Sequence, residues 1–492
     1  MLMAENETLG IKFIDTLSYH KASLEELGKI INCPKSNKPS FLGEVPKNPI
    51  EEKELRDYNE QDCLISLSFL EWFQNQINNL GGELKITIAS CSIDIWKRKY
   101  NNMVICKEDY ILKKRGIDVN IKDKIFKAYY GGRTEVLKRG YVENLYYYDF
   151  NSLYPSVMLN ELPLPNSVQY FKSGSLAEIM NREGVSHVKV INDTNELPLL
   201  PYRDGKLIFP KGEFKGWYTH IELRTALKHG YTVLKVYETI SYSLMITPFA
   251  RFVDDMFNKR KQAKKKADSS QLIFKLIMNA LYGKFGERRH NKTVHFDLSK
   301  MDKIETEKLQ NEHFENNVSI NSSGKGYYTE EEECTSNHVL PIWPVYVTAL
   351  ARIKLWEKAR LLDPYYMDTD SIITKELLPS SKELGELELE YHIDRGIFIK
   401  PKMYYFKDGD KEIVRLKGVP RINIEQFKKI LAGESVRYTK FVKLKEGIRR
   451  NINVNSMIEI EKHINLEDNK RIWNQQFSIN LVSSTPLVVS GK

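Results

Sequence analysis

Two rhythms of apolar and polar positions run along this 492-residue chain. Between residues 11 and 95, SLEELGKII and YNEQDCLISLSFLEWFQNQI carry helical apolar spacing, and the Pro-rich stretch CPKSNKPSFLGEVPKNP between them reads as a loop. From KAYYGGRTEVLKRGYVENLYYYDF onward, strand-like and helical stretches alternate through HVKVIND, GKLIFPKGEFKGWYTHIELRTALKHG and YTVLKVYETISYS. Residues 250–285 hold the longest helical pattern, broken by the polar KKKADSS. The polar, charged stretch 290–337 reads as an insertion over the surface. Apolar order returns in VLPIWPVYVTALARIKLWEKARLL and in the strand pair YYMDTDSIIT. The last ninety or so residues are basic and mixed, and are expected to end in a weakly structured tail. The pattern predicts a multidomain α/β (α+β) chain without internal repeats.

Length supports that division, since one core rarely serves so many residues. Hydrophobic residues at 41% and charged residues at 28% describe a globular protein. No uncharged apolar run approaches the roughly 18 residues that span a bilayer, so no membrane partner is expected. The start, MLMAENETLG, has the features of neither a secretory signal nor an Arg-rich transit peptide. Five scattered cysteines without a CxxC pair argue for a reducing compartment and against structural zinc. Lys plus Arg outnumber Asp plus Glu by 74 to 65, an excess that suits a polyanionic partner, although ordinary solubility is the plainer account of it.

Chemistry concentrates in a few short stretches. In YYMDTDSIIT a strand period of two puts Asp368 and Asp370 on one face, where two carboxylates repel unless a cation sits between them or one is protonated. An acidic β-turn is the plainer alternative. In YYYDFNSLYPS, Asp149 also ends an apolar strand-like run, so paired strands would bring these carboxylates together. Such hard oxygen donors select Mg²⁺ or Mn²⁺, and two ions would hold both oxygens of a phosphoryl transfer. Behind Asp149 the chain turns into Pro155, and the backbone amides from Asn151 to Tyr154, those of Ser152 and Leu153 among them, are expected to face a triphosphate. Tyr146 to Tyr148 are most simply strand packing.

In FKLIMNALYGKFG, spacings of four and three stack Lys275, Asn279 and Tyr282 on one helical face. Lys275 lies among apolar residues, where an unpaired cation is costly. Upstream, Arg260 and Lys264 are four apart and would form a basic ladder, although a solvated charged face or a localisation signal is the plainer reading of KRKQAKKKAD alone. In KPKMYYF, Lys402 and Tyr404 are expected on one strand face, suited either to a nucleic-acid backbone or to amphipathic packing.

Taken together and in order, these stretches resemble the motifs of family B DNA polymerases. DFNSLYPS resembles the first palm motif, and KLIMNALYGKFG the fingers motif, with Ala280 where Ser is usual. YMDTDS resembles the second palm motif, and KMY the Lys-x-Tyr motif near the primer end. YYGG, holding Tyr129, Gly131 and Gly132, resembles the Tyr-x-Gly-Gly element of the protein-primed branch found in phages, adenovirus-like viruses and mitochondrial linear plasmids.

The resemblance implies a right hand of palm, fingers and thumb preceded by a partial RNase H-like exonuclease domain. Asp149, Asp368 and Asp370 would be the catalytic metal ligands for two Mg²⁺ or Mn²⁺ ions. Tyr154 would reject a ribose 2′-hydroxyl. Lys275, Asn279 and Tyr282, helped by Arg260 and Lys264, would line the nucleotide. Lys402 and Tyr404, with Tyr129, Gly131 and Gly132, would touch DNA. The implied partners are primer–template DNA, deoxynucleoside triphosphates and a terminal protein primer. The implied location is intracellular, in a mitochondrion for a linear plasmid or in host cytoplasm for a phage or virus.

The corresponding division is 1–95 exonuclease-like, 96–140 linker, 141–249 first palm part, 250–289 fingers, 290–337 polar insertion, 338–402 second palm part and 403–492 thumb and tail. Tyr58 and Asp62 in YNEQDC fit the last exonuclease motif, Tyr-x-x-x-Asp, as a vestige. The Asp-x-Glu and Asn…Phe-Asp motifs are missing from this sequence, so the domain reads as truncated and proofreading is expected to be absent. A catalytically weak DNA-binding remnant is the competing expectation.

Overall fold

The computed structural model describes residues 3–6, 11–14, 19–20, 22–42, 44–102, 108–193, 196–288, 290–302, 304–306, 319–320, 325–332, 338–419, 422–441, 457–475 and 479–491. The chain divides into two units. The first comprises Met1–Ile105, Tyr154–Leu162 and Ile246–Phe285; the second comprises Cys106–Leu153, Pro163–Met245 and Gly286–Lys492. Among the described residues no helix is long and apolar enough to cross a membrane. Of the five cysteines, Cys33, Cys63 and Cys91 are described and free.

The first unit is mainly helical. Asn48 caps the 31-residue helix Pro49–Asn79, which has Pro in its first turn and Glu51 and Glu52 against the positive end of its dipole. Its buried stripe, Tyr58, Ile65, Phe69, Phe73 and Ile77, follows the helical period read from the sequence. Tyr19 packs on Phe73, and the capped helix Leu24–Ile30 lies alongside. Helix Ile88–Ile95 is joined to the rest of the unit by Ser92, whose hydroxyl donates to Ile277 O at 2.7 Å. Next to it, Trp96 Nε1 donates to Pro248 O at 2.9 Å. The KKKADSS interruption separates two helices, Ala250–Lys265 and Ser270–Phe285. There Ala267 takes a left-handed φ of 53°, and the Asp268 carboxylate accepts from Ser270 N.

The second unit is built on two sheets. Seven strands of the larger one run in the order Lys411–Leu416, Met403–Asp408, Leu387–Lys400, Lys138–Phe150, Ser371–Thr374, Tyr366–Asp368 and Thr134–Val136. Each pair of neighbouring strands in this order is antiparallel. Residues 403–416 therefore extend this sheet, and the division drawn at 402 passes through it. Val142, Leu145, Tyr366, Ile373, Phe398, Tyr404 and Phe406 form its core. Tyr148 is fully buried, as strand packing of the tyrosine run requires.

The smaller sheet has the order Val488–Val489, Lys211–Thr219, Glu183–Asn192, Thr232–Tyr242 and Val168–Phe171. One face buries Val188, Val190, Phe214 and Tyr218 in a core shared with helices His220–Lys228 and Ile342–Ala359. Between those helices Arg352 pairs with Glu222 at 2.7 Å, both side chains almost inaccessible to water. In 290–337, the described residues include a three-stranded antiparallel sheet, His290–Asp297, Lys325–Glu332 and Ser319–Ile320.

The tail departs from expectation. Its strand Val482–Pro486 pairs with Arg471–Trp473 and with the strand Lys138–Phe150, and Val488–Val489 edges the smaller sheet. Gly140, at φ 119°, lets the tail cross the sheet closely: a Cβ there would lie 2.3 Å from Asn480 O. The Arg139 guanidinium, almost fully buried, lies 4.4 Å from the Trp473 ring and donates to Gln475 O. Strands of two to five residues leave little periodicity to read, and long-range contacts define them.

One buried histidine gives the second unit a response to acid. His220 Nδ1 donates to Arg182 O, and its Nε2 accepts from Ser186, which also bonds Thr239. Burial drives its pKa down to about 4, with the Arg182 hydrogen bond opposing. The unfolded chain therefore binds this proton more tightly than the folded one. Stability from this site is complete above pH 6.5 and is lost as pH falls from 6.5 toward 4. Urea denaturation should show His220 contributing a loss of about 2 kcal/mol between pH 7.5 and pH 5. His220→Gln should flatten the profile by that amount; an identical pH profile in the variant would rule the mechanism out.

Candidate active site

In the second unit, the larger sheet brings two acidic stretches together. Asp149 stands next to last in the strand Lys138–Phe150, opposite Ser371 on one side and Glu388 on the other. Phe150 N donates to Asp370 O at 2.8 Å, tying the end of this strand to the neighbouring turn. Asp368 and Asp370 do not share a continuous strand. Asp368 ends one strand, Ser371 begins the next, and Thr369–Asp370 is a two-residue hairpin loop with Thr369 at φ 64°. Period-two alternation does not extend through such a loop.

The Asp368 carboxylate is already engaged. Lys402 Nζ lies 3.0 and 2.9 Å from its two oxygens, and the hydroxyls of Thr134, Tyr366 and Thr369 donate to it at 2.9, 3.1 and 3.1 Å. Lys402 itself sits in a turn at φ 59°, and its N–H donates to the Tyr366 hydroxyl. Burial and then the Asp368 charge raise the pKa of that hydroxyl, keeping it a donor. Tyr404 lies on the strand Met403–Asp408, buried against Tyr366, Phe398 and Phe406. The expected Lys402–Tyr404 strand face therefore gives way to an ion-paired turn residue and a core ring.

Among the described residues no three His, Cys, Asp or Glu side chains form a metal-holding group. Asp368 is held by Lys402, and the strand pairing brings the backbones of Asp149 and Asp370 to neighbouring positions at the same end of the sheet. Mg²⁺ accepts that arrangement, because it binds through one or two carboxylates and keeps water and phosphate ligands. Sequence reasoning missed Glu388, half-buried at the register position beside Asp149. The alternating glutamates of GELELEY were its signal. Asn151 N is committed to Glu386 O at 2.8 Å, which removes one amide from the expected triphosphate cradle; Ser152 takes a φ of 56°.

The Tyr-x-Gly-Gly element is structurally clamped. Arg352 Nη1 donates to Tyr130 O at 2.6 Å and to Gly131 O at 3.2 Å, while Arg203 donates to Tyr129 O. The Tyr130 ring is buried, stacked on Tyr218. Gly131 is exposed, with open space where a Cβ would stand, and Gly132 is partly exposed.

In the first unit, Lys275, Asn279 and Tyr282 lie along the outer stripe of helix Ser270–Phe285, opposite buried Ile273, Ile277, Met278 and Leu281. Lys275 and Asn279 are exposed, so Lys275 escapes the burial cost its apolar neighbours suggested. The Arg260–Lys264 ladder divides: Arg260 is buried and Lys264 exposed. Tyr154, in the short helix Leu153–Val157, stacks on Tyr282 with centroids 5.1 Å apart and planes 5° from parallel. That spacing admits no third ring between them. Asp62 pairs with Lys35 at 2.7 Å, and the same ammonium lies 4.8 Å from the Tyr58 ring centroid.

Comparison with known proteins gives these sites a family. Residues 13–342 match the model of DNA polymerase type B, organellar and viral. A probable DNA polymerase of Podospora anserina is 28% identical over 480 residues, covering 86% of this chain and 38% of that protein. The DNA-directed DNA polymerase of Enterobacteria phage PRD1 is 28% identical over 308 residues, covering 57% and 50%. The chain thus spans half or less of the length of these curated relatives. Phi29 DNA polymerase, in its complex with primer-template DNA and incoming nucleotides, shares the fold with a TM-score of 0.66 at 18% identity, over 92% of this chain and 79% of that one. The chain belongs to the organellar and viral type B DNA polymerases.

Proposed function

We propose that this chain is a template-directed DNA polymerase that adds deoxynucleotides to a primer 3′-hydroxyl, with a protein primer among its substrates, in the replication of a linear plasmid or viral DNA. A mitochondrion is the favoured compartment. The observation that carries this reading is the pairing of the Asp149 strand with the Asp370 hairpin. Bound there, Mg²⁺ or Mn²⁺ would lower the pKa of the attacking hydroxyl and neutralise triphosphate charge.

The chain's own residues position the reactants. Asp149 and Asp370 supply carboxylate oxygens at the end of the strand, and Glu388 adds negative charge beside them. Lys402 is held by Asp368 so that its ammonium stays at a fixed place for a DNA phosphate or terminus. In this reading Asp368 is a positioning residue. Lys275 and Lys264 offer exposed cations to the triphosphate, while Asn279 and Tyr282 line the nucleotide. Ser152 and Leu153 contribute backbone to its phosphates. An entering nucleotide must part Tyr154 from Tyr282, which leaves Tyr154 against the sugar. Gly131 and Gly132 allow close approach of DNA to backbone, with Tyr129 beside them. Tyr58 and Asp62 take no part in synthesis, and because the Asp-x-Glu and Asn…Phe-Asp motifs are missing from this sequence, these two residues do not make a two-metal proofreading centre.

Primer extension with Mg²⁺ or Mn²⁺ tests the assignment: Asp149→Ala and Asp370→Ala should each lower kcat/KM about 10³-fold or more. Equal extension by wild type and both variants would refute it, and DNA binding without extension by the wild type would favour the remnant. Asp368→Asn and Lys402→Ala should each cost about 10- to 100-fold, and their double variant little more, because the two act as one unit. A loss at Asp368→Asn matching Asp149→Ala, with Lys402→Ala unaffected, would make Asp368 a metal ligand instead. Tyr154→Val should raise ribonucleotide use relative to deoxynucleotide use by about 10- to 100-fold. An unchanged ratio would remove Tyr154 from the sugar site.

A further inference from the structure

The smaller sheet of the second unit has an outer face whose composition the polymerase chemistry does not use. Its inner face is core, so the outer one should be ordinary solvated surface. Instead it carries two ordered rows across three adjacent strands, Lys211–Thr219, Glu183–Asn192 and Thr232–Tyr242.

The first row is aromatic. Trp217 and His187 are direct cross-strand partners, with ring centroids 5.4 Å apart and planes within 10° of parallel. The Tyr237 ring lies 4.9 Å from His187 on the other side. Trp217 is largely covered, whereas His187 and Tyr237 remain partly open to water. Burial lowers the His187 pKa, so the ring is neutral near pH 7 and suited to stacking.

The second row is cationic. Lys215 is the register partner of Lys189, and Lys189 is the register partner of Lys235, so three lysines stand directly opposite one another. Like charges in that relation destabilise a sheet. Glu213 relieves Lys189 at 2.5 Å, while Lys235 lies 4.9 Å from the Tyr237 ring centroid. Lys124 and Lys127 add positive charge near His187 from the helix Ile121–Lys127, with Lys124 paired to Glu238. Five ammonium groups thus face two carboxylates. Aromatic packing alone accounts for the first row but not for the lysine register beside it.

We propose that this face is a platform for single-stranded DNA, with phosphates along Lys215, Lys189 and Lys235 and bases against His187 and Tyr237. The rows lie two residues apart along the strands, about 7 Å, and each crosses three strands about 4.8 Å apart. A single strand running across the sheet can therefore set its charged edge on one row and its unpaired bases on the other, without a sequence code. The choice of DNA rests on the polymerase reading; the polyanion-and-ring chemistry of the face does not.

The test uses the full chain and a thymidine 20-mer carrying 5-iodo-deoxyuridine. Irradiation and peptide mapping should place crosslinks at His187, Trp217 or Tyr237. By fluorescence anisotropy, Tyr237→Ala should weaken binding about threefold, and Lys215→Gln with Lys235→Gln about tenfold with a shallower salt dependence. The same double substitution should raise the melting temperature, because it removes cross-strand repulsion. Opposite signs for binding and stability separate a ligand site from a structural role. Crosslinks confined to other segments, affinities within twofold of wild type, or a fall in both binding and stability would overturn the proposal. So would polyglutamate binding as tightly as the 20-mer, which would assign the face to an acidic protein. Crosslinking at the platform without primer extension would sink the polymerase reading and leave the platform, whereas extension without platform crosslinks would do the reverse.

Discussion

Strand register is the constraint on which the candidate catalytic centre depends. Side chains alternate along a strand, so a slip of one residue between the strands Lys138–Phe150 and Ser371–Thr374 would turn Asp149 to the opposite face. Several separate contacts oppose that slip. Tyr148 is fully buried and its hydroxyl bonds both the N–H and the carbonyl of Leu378, fixing the strand one residue before Asp149. Phe150 N reaches Asp370 O one residue after it. Thr369 N donates to Arg133 O, which holds the hairpin loop from its other side. The acidic pair is thus positioned by backbone bonds and one buried ring rather than by its own chemistry.

Buried charge performs a second layer of positioning. Arg352 closes on Glu222 and also takes two carbonyls of the Tyr-x-Gly-Gly turn, so one guanidinium joins two helices to that loop. Arg133, Glu135 and Arg471 form a comparable trio that draws the tail into the sheet, with Glu135 2.6 Å from Arg133 and 3.6 Å from Arg471. Removing one member of such a pair leaves a charge without compensation, at a cost of about 3–5 kcal/mol. An apolar replacement of equal volume can pack as well, but it does not specify which carbonyl or which tail residue is taken. Asp368 and Lys402 repeat the device at the site itself, where a half-exposed lysine has its direction set by a less exposed carboxylate.

Legibility in the sequence followed the range of the interactions. Helix Pro49–Asn79 was readable because its apolar stripe, capping Asn48 and N-terminal Pro are all local. The break at KKKADSS was readable for the same reason. Asp149 and Asp370 stood out because each ends or follows a strongly apolar strand. What failed was inference about surroundings. Lys275 has apolar neighbours along the chain, yet helical geometry turns them inward and leaves it exposed. Sequence spacing puts Lys402 and Tyr404 on one strand face, whereas a left-handed turn at Lys402 separates their directions. Glu388 and Arg352 acquire their roles through partners more than a hundred residues away, and short tail strands have no period to display.

The lysine register on the smaller sheet extends this logic to a feature that is costly. Elsewhere among the described residues cations are neutralised by a nearby carboxylate, as with Lys124 and Glu238 or Lys138 and Asp363. A glutamate in place of Lys215 or Lys235 would settle the same cross-strand positions with an attractive pair. Holding like charges opposite one another sacrifices stability of the free chain. Such sacrifices concentrate where a ligand supplies the missing charge. The adjacent aromatic row narrows the ligand further, since a simple anion would have no use for stacked rings. Charge in register and rings in contact are together what a flexible polyanion with planar groups would reward.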